Sequence, residues 1–363
     1  MSEHIRVSVI ILNYNGIKLI PKLFKTLGVQ TYKNFEVIFV DNNSNDGSIQ
    51  KLEEILSKEI KNLNVKIIKN EKNLGYCKGN NLGAHYANNE FIVFLSNDTF
   101  LSPTWLEELV RVMDKYPTVA VAQSRLLEAS ADVVQADGLV MDIYGWCKSI
   151  IVEKNDAGVI EPFFAMGASI IVRRKAFIES GGFDPDVFNG DWDLSWRLRL
   201  YGYEVATALK SICYHYGSYT QKKIVKEYSG YFHGFKEKVR VSIKNYSLEN
   251  LLRTIPITIS LMIAQSTYMT VKRKNPRILL ASIEALAWNL KYLKDTLVRR
   301  KKVQMSRRRS DSELEKRMIH YSLLIADFHR LINRHSGIIY YKWGVGMVVI
   351  EKDQRSNKHL TFA

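Results

Sequence analysis

The chain has 363 residues, 46% of them apolar, and a formal charge of +15. That is enough to bury a sizeable core and leaves room for one large domain plus an appendage, while three cysteines without CxxC spacing exclude a disulfide scaffold and suit a reducing compartment. The charge is uneven: residues 1–220 hold 23 Lys+Arg and 26 Asp+Glu, residues 221–363 hold 29 and 11, so the basic character belongs to the tail.

Only six residues precede a strand pattern at 7–12, which leaves no room for a signal peptide and places the expected protein in the cytoplasm. Residues 17–27 read as a helix with apolar Ile17, Leu19, Ile20, Leu23, Phe24 and Leu27. The apolar run 37–40 stops at Asp41 and a turn-rich stretch, after which Ser48 caps a helix with the stripe Ile49, Leu52, Ile55, Leu56 and Ile60. A strand at 65–68 follows, then a glycine-spaced stretch at 73–83, then an apolar strand at 91–95 that stops at Ser96, Asn97 and Asp98. Pro103 suits the first turn of a helix through Trp105, Leu106, Leu109, Val110 and Met113, and 119–121 is a short strand. Beyond it come a strand at 168–172, a helix at 173–179 closed by Gly181 and Gly182, a helix at 191–200 and a strand ending near His215.

This alternation predicts an α/β fold with a mainly parallel sheet covered by helices on both faces, in which the polar loops after 37–40 and 91–95 form the floor of one crevice. Residues 1–222 make up the predicted α/β domain, and 223–363 a basic, mainly helical extension. Within the extension, 254–271 is apolar but short and interrupted by Pro256, Gln265 and several Ser and Thr, so it reads as a helix packed on, or lying in, a membrane surface. Basic runs at 272–274, 299–302 and 307–309 flank 278–290, a combination suited to anionic lipid headgroups; a solvated basic helix is the alternative.

The first crevice loops have a nucleotide-binding logic. Tyr14 offers a flat face for a base, Asp41 is an acceptor for an imide N–H, and Asn13, Asn15 and Asn43 can bind base or ribose. Asp46 and Ser48 read instead as turn and cap residues. Gly75, Gly79 and Gly83 allow close backbone approach, with Lys78 available for a phosphate or sugar oxygen; the alternative is a helix start with small packing residues. Neither a Walker loop nor a GxGxxG fingerprint occurs.

Residues 7–16 (VSVIILNYNG), 40–48 (VDNNSNDGS), 73–83 (NLGYCKGNNLG) and 181–184 (GGFD) resemble, in order, the motifs of family 2 glycosyltransferases with the GT-A fold, over about residues 5–220 and closest in wording to the rhamnosyltransferase-like branch. The resemblance implies a Rossmann-like GT-A domain that binds the base of a UDP- or dTDP-sugar at Asp41 and the rest of the donor with Asn73, Gly75, Lys78, Asn81, Asn97 and Asp98. Ser96-Asn97-Asp98 stands where the family carries DXD, with only the last acid present, so Asp98 is the implied ligand of Mg²⁺ or Mn²⁺. His215 matches a late histidine that approaches metal or diphosphate in relatives, or is structural. Residues 189–197 (NGDWDLSWR) resemble the ED loop with Gly190 in place of Glu, which makes Asp191 the implied catalytic base; as pure structure it would be an N-cap. Asp193 is assigned to a structural i,i+4 pair with Arg197, and Trp192 is an acceptor-side aromatic or a core residue.

A single base implies inversion. The expected activity is transfer of one sugar per encounter to a glycan or lipid-linked acceptor in polysaccharide biosynthesis, peripheral at the inner membrane face. No QxxRW segment of a processive synthase follows Asp191. Two other readings stay open: a non-catalytic nucleotide-sugar-binding scaffold, and nucleic-acid binding by the basic tail, which lacks a reader motif, so no specific nucleic acid is expected.

Overall fold

The structure is a computed structural model that describes residues 6–131, 133–152, 158–217, 227–333, 339–342 and 347–350. The chain divides into two compact units: residues 1–138, 154–198 and 203–222 form the first, and residues 139–153, 199–202 and 223–363 the second. The boundary expected at 222 lies outside the described residues.

In the first unit the order is β1 (Val7–Asn13), α1 (Ile20–Gly28), β2 (Phe35–Asp41), α2 (Ser48–Lys58), β3 (Val65–Lys69), α3 (Gly75–Tyr86), β4 (Phe91–Ser96), β5 (Thr99–Leu101), α4 (Trp105–Lys115), β6 (Val119–Glu128) and β7 (Val134–Ala136). The chain then contributes β8 (Leu139–Met141) and β9 (Cys147–Ser149) to the second unit and returns with β10 (Val159–Ile160), β11 (Ser169–Arg173), α5 (Arg174–Glu179), α6 (Gly190–Leu200) and β12 (Glu204–His215). The helix expected from 17 begins at Ile20, because 16–19 closes a turn and Pro21 sits in the first helical turn. Ser48 stands one residue inside α2, behind Gly47 at the cap.

The strands join in one mixed, mostly parallel sheet in the order β10-β12-β6-β11-β4-β1-β2-β3, with β5 and β7 added at β12 and β6. β1 pairs in parallel with β2 and β4, β2 with β3, and β12 with β6; β11 runs antiparallel between β4 and β6. Side-chain alternation splits the strands between two cores. Val7, Val9, Ile11, Val37 and Phe39 face α1, α2 and α4, whereas Ile10, Ile38 and Val40 face α3, α5 and α6. Both faces are therefore covered, which is why these strands read as largely apolar runs and not as an alternation.

The second unit is mainly helical: α7 (Glu227–Asn245), α8 (Leu248–Arg273), α9 (Arg277–Lys291), α10 (Leu293–Met305), α11 (Asp311–Glu315) and α12 (Leu323–Asn333), with a hairpin of β13 (Ile339–Lys342) and β14 (Met347–Ile350). Ser247 caps α8 by accepting from the Asn250 N–H at 3.2 Å, and Ser310 with Glu313 forms a capping box at α11. Asp142, fully buried, accepts from the N–H groups of Tyr144, Trp146 and Leu323, which ties the β8–β9 turn to the start of α12. Among the described residues, no helix is long and apolar enough to cross a membrane. Cys77 and Cys213 are buried, as expected of core thiols, but Cys147 is exposed.

Candidate active site

The chain runs outward from β1 to β3, then crosses back to β4 on the other side of β1. Such a reversal opens a crevice beyond the carboxyl ends of the two diverging strands, here β1 and β4. Asn13, the last residue of β1, is fully buried there. Its amide nitrogen donates to Asp41 Oδ1 at 3.0 Å and Ser44 Oγ at 3.1 Å, while its Oδ1 accepts from Asn97 Nδ2 at 2.8 Å. One side chain thus links the ends of β1, β2 and the loop after β4. Asp41 also accepts from the Ser44 N–H and hydroxyl, at 2.8 and 2.6 Å, so Asn13, Asp41 and Asn97 form one buried framework beneath the crevice.

The neighbouring candidates lie on the open side. Tyr14 is half-buried, Asn15 and Asn43 are exposed with φ of 50° and 65°, and Asn73, just before α3, and Gly75 and Lys78, in its first turn, are exposed. Asn15 braces the second loop through its own N–H to Ser44 Oγ and its Oδ1 from the Asn45 N–H, both at 2.9 Å. Asp46 performs the same service by accepting from Ile17 N–H and Ser48; burial opposes its ionisation, but these bonds outweigh it and hold its carboxyl below the usual value. A residue that sequence reasoning passed over, Asn42, organises the third loop: it accepts from Asn70 Nδ2 at 2.7 Å and donates to Asn73 Oδ1 at 3.2 Å. Gly79 and Gly83 serve packing, since a Cβ there would meet Leu12 and Ile10 at 2.5 Å.

Asp98 and His215 come together from segments far apart in sequence. β5 carries the chain from Asp98 alongside the end of β12, and His215 Nε2 lies 3.4 Å from Asp98 Oδ1, both side chains nearly buried. His215 Nδ1 lies 2.7 Å from Gln135 Oε1; with the proton on Nδ1 donated to that oxygen, Nε2 keeps its lone pair toward the carboxylate. Two acceptors converging at this spacing fit a small divalent cation, whose adjacent octahedral ligands stand about 3 Å apart at metal–ligand distances of about 2.1 Å. Among the described residues no group of three or more His, Cys, Asp or Glu could hold a metal ion. A cation at this pair would need further oxygens from elsewhere, as Mg²⁺ commonly takes from phosphates and water.

Asp191 reaches the same end of the sheet through β11. That strand starts where β4 ends, with the Ser96 N–H donating to Ala168 O at 2.9 Å, and the preceding Gly167 N–H donates to Asp191 Oδ2 at 2.7 Å. Burial pushes the Asp191 carboxyl above the usual carboxylate range, against the pull of the Gly167 and Trp192 N–H donors. Tyr76, a second residue that sequence reasoning did not single out, donates its hydroxyl to Gly167 O at 3.1 Å. Burial, and then the charge of Asp191, raise its phenol well above the usual value, so it remains a proton donor.

The start of α6 is held from several sides. Asn81 accepts from the Phe183 N–H at 2.9 Å and donates to Phe183 O at 2.8 Å, so it clamps the 181–184 turn. Asp193 pairs with Arg197 at 2.9 Å in the interior, and Arg197 donates onward to Ser180 O and Gly182 O, the structural role expected of that pair. Gly190 has no room for a side chain, because a Cβ would stand 2.6 Å from Cys77 Sγ and 2.9 Å from Phe183. The position where the resembling motif carries Glu is therefore filled by Cys77 and Phe183. Trp192 is 7% exposed and packs against Trp196 with ring centroids 6.2 Å apart. Asp193→Ala should lower folding stability by about 3–5 kcal/mol, because it strips a buried guanidinium of its counter-charge. Chemical denaturation checks this; a loss under 1 kcal/mol would show that the two carbonyls hold Arg197 alone.

The sequence model of glycosyl transferase family 2 matches residues 8–181. A glycosyltransferase of Haemophilus influenzae is 32% identical over 120 residues, covering 33% of this chain and 36% of that protein. A second from the same organism is matched over 36% of its length, so the chain spans about a third of the length of these curated relatives. The structure of Staphylococcus aureus TarS 1-349 in complex with UDP-GlcNAc aligns with a TM-score of 0.55 at 16% identity, over 95% of this chain and 99% of that one. The mannosyltransferase PcManGT from Pyrobaculum calidifontis, in complex with GDP-Man and Mn2+, aligns at 0.52 and 16% identity, over 84% and 86%. At such identities the likeness establishes the GT-A fold.

Proposed function

We propose, from the match of the glycosyl transferase family 2 model to residues 8–181, that this protein transfers a single sugar from a UDP- or dTDP-type donor to a hydroxyl of a glycan or lipid-linked acceptor, with inversion. The observation that carries this reading is the convergence of the Asp41 framework, the Asp98–His215 pair and Asp191 at one end of the sheet. Tyr14 offers its ring to the base, with Asn43 and Asn15 beside it, and Lys78 together with Asn73 and Gly75 is placed for the diphosphate side. Asp98 and His215 would hold Mg²⁺ or Mn²⁺, which when bound offsets negative charge developing on the departing diphosphate.

Asp191 takes the proton of the acceptor hydroxyl. That oxygen forms a new bond to the anomeric carbon as the bond to the diphosphate breaks and its electron pair leaves with the nucleotide. A carboxyl raised by burial is better matched to this task than an exposed one. The Gly167 and Trp192 N–H groups each hold one carboxylate oxygen, and the remaining lone pairs serve the acceptor proton. Wording of the motifs favours a rhamnosyltransferase-like donor, and the basic second unit suits a peripheral position on an anionic membrane at the inner face of the cell.

A thermal-shift screen with UDP-, GDP- and dTDP-sugars, with and without Mn²⁺, tests the reading. One donor class should raise the melting temperature, and more so with the ion, by mass action on the folded state. No shift with any nucleotide-sugar would sink it; a shift without turnover on any lipid-linked acceptor would favour a binding scaffold.

A further inference from the structure

Two helices of the second unit, α8 and α9, turn mostly small and polar residues inward. α8 buries Thr254, Thr258, Met262, Ser266 and Met269, and α9 buries Ile278, Ala281, Ser282, Ala285 and Asn289. The two meet through Ser266 and Ser282 hydroxyls 3.1 Å apart, and Asn289 donates to Lys236 O of α7 at 3.1 Å. Large apolar side chains are left outside: Leu280, Ile283 and Leu290 on α9, and Leu297, Val298 and Met305 on α10, with Leu290 74% and Met305 77% exposed. In water this arrangement forfeits hydrophobic stabilisation, at about 25 cal/mol per Å² of apolar surface left uncovered.

These residues recur at helical spacing along α9 and α10, which together run about 40 Å at 1.5 Å per residue. Exposed Arg277, Lys291, Lys294, Lys301 and Lys302 accompany them. Across residues 277–305 there are seven basic residues and two acids. Both acids are engaged within the unit: Asp295 by Arg240 and Arg299, and Glu284 by the Tyr228 hydroxyl. On α10, Leu293, Lys294, Leu297, Val298 and Lys301 line an open hollow with an apolar floor and lysines at its rim.

We propose that this face of α9 and α10 docks in the headgroup region of an anionic phospholipid bilayer, with Leu290, Leu297, Val298 and Met305 entering the acyl boundary and the lysines meeting lipid phosphates. The combination of a long apolar stripe with flanking cations is what an interfacial helix requires. Charge argues against a second copy, because two such faces would set five cations against five. The inference names the residues by which the membrane contact suggested above is made, yet it stands on the surface of this unit alone and its test needs no turnover.

Co-sedimentation of the full chain with vesicles of phosphatidylglycerol and phosphatidylcholine, against phosphatidylcholine alone, provides that test. Binding should be strong on the anionic vesicles, weak on the neutral ones, and should fall as salt rises. Lys294→Glu with Lys301→Glu should lower partitioning on the order of 10²-fold, and Leu290→Gln with Leu297→Gln about tenfold or more. All four side chains are exposed, so unchanged melting curves serve as the folding control. Binding that ignores both double variants overturns the assignment of this face. No vesicle binding at all overturns it too, as would a salt-resistant dimer loosened by the leucine variants, which points to a second copy.

Discussion

Asp191→Asn is expected to lower turnover by a factor on the order of 10² or more, with donor affinity changed less than about twofold. The amide is nearly isosteric and keeps one oxygen for either the Gly167 or the Trp192 N–H, so the start of α6 should stay close to its place while the basic carboxylate is lost. Nucleotide release under saturating acceptor gives the turnover, and calorimetric titration with the donor nucleotide gives the affinity. The same carboxylate sets a pH dependence. Because burial raises its pKa, the protonated and inactive form persists to a higher pH than for an exposed Asp, so activity should fall on acidification at a pH above the usual carboxylate range. Near-normal turnover in the variant would remove Asp191 from the mechanism. An acid limb at or below the usual carboxylate value would assign it to another group.

Asp98→Ala should weaken metal-dependent nucleotide binding and activity together, on the order of 10²-fold, and EDTA should reproduce the effect on the unmodified protein. His215→Ala should act in the same direction. Gln135→Ala, which removes the amide facing His215 Nδ1 but no ligand of the ion, should have a smaller effect, about 10-fold, as expected of a group that orients a ligand without touching the ion. Nucleotide titrations with and without Mn²⁺ separate these cases. Full activity in EDTA would mean that cationic side chains carry the diphosphate charge instead.

Much of the first unit was legible because β1, β2 and β4 are buried on both faces and their residues are apolar almost throughout, Ser8 and Glu36 apart, up to their polar ends. β6 was read as three residues and extends to ten, because Gln123 and Ser124 look like loop residues and are fully buried. Their polarity is absorbed over long range: Gln123 Oε1 accepts from the Met166 N–H at 2.7 Å, and Ser124 Oγ lies 2.8 Å from Ser169 Oγ. The strands between 134 and 160 are two or three residues long, too short to establish a period.

The site divides in the same way. Asp41 and Asp98 stand out as acids at or just beyond the ends of apolar strands, whereas Asp191, at the start of α6, was reached only through the resemblance of residues 189–197 to the ED loop. Asn42, Tyr76 and Gln135 give no such signal. Each acts through a partner 31 to 91 residues away, Asn42 on Asn73, Tyr76 on Gly167 and Gln135 on His215. Gly190 illustrates the converse: its departure from the motif was visible, but the reason, a sulfur and a ring already filling the space, needed coordinates.

The amide of Asn13 spans three strand ends, so the floor of the crevice cannot loosen one strand at a time; losing any one of its bonds leaves a buried polar group without its partner. A ligand arriving there meets a surface that is already ordered, and its binding entropy should be set by displaced water and by the exposed rim around Tyr14, Asn15 and Asn43. Any adjustment to a ligand therefore falls to that rim and not to the sheet beneath it.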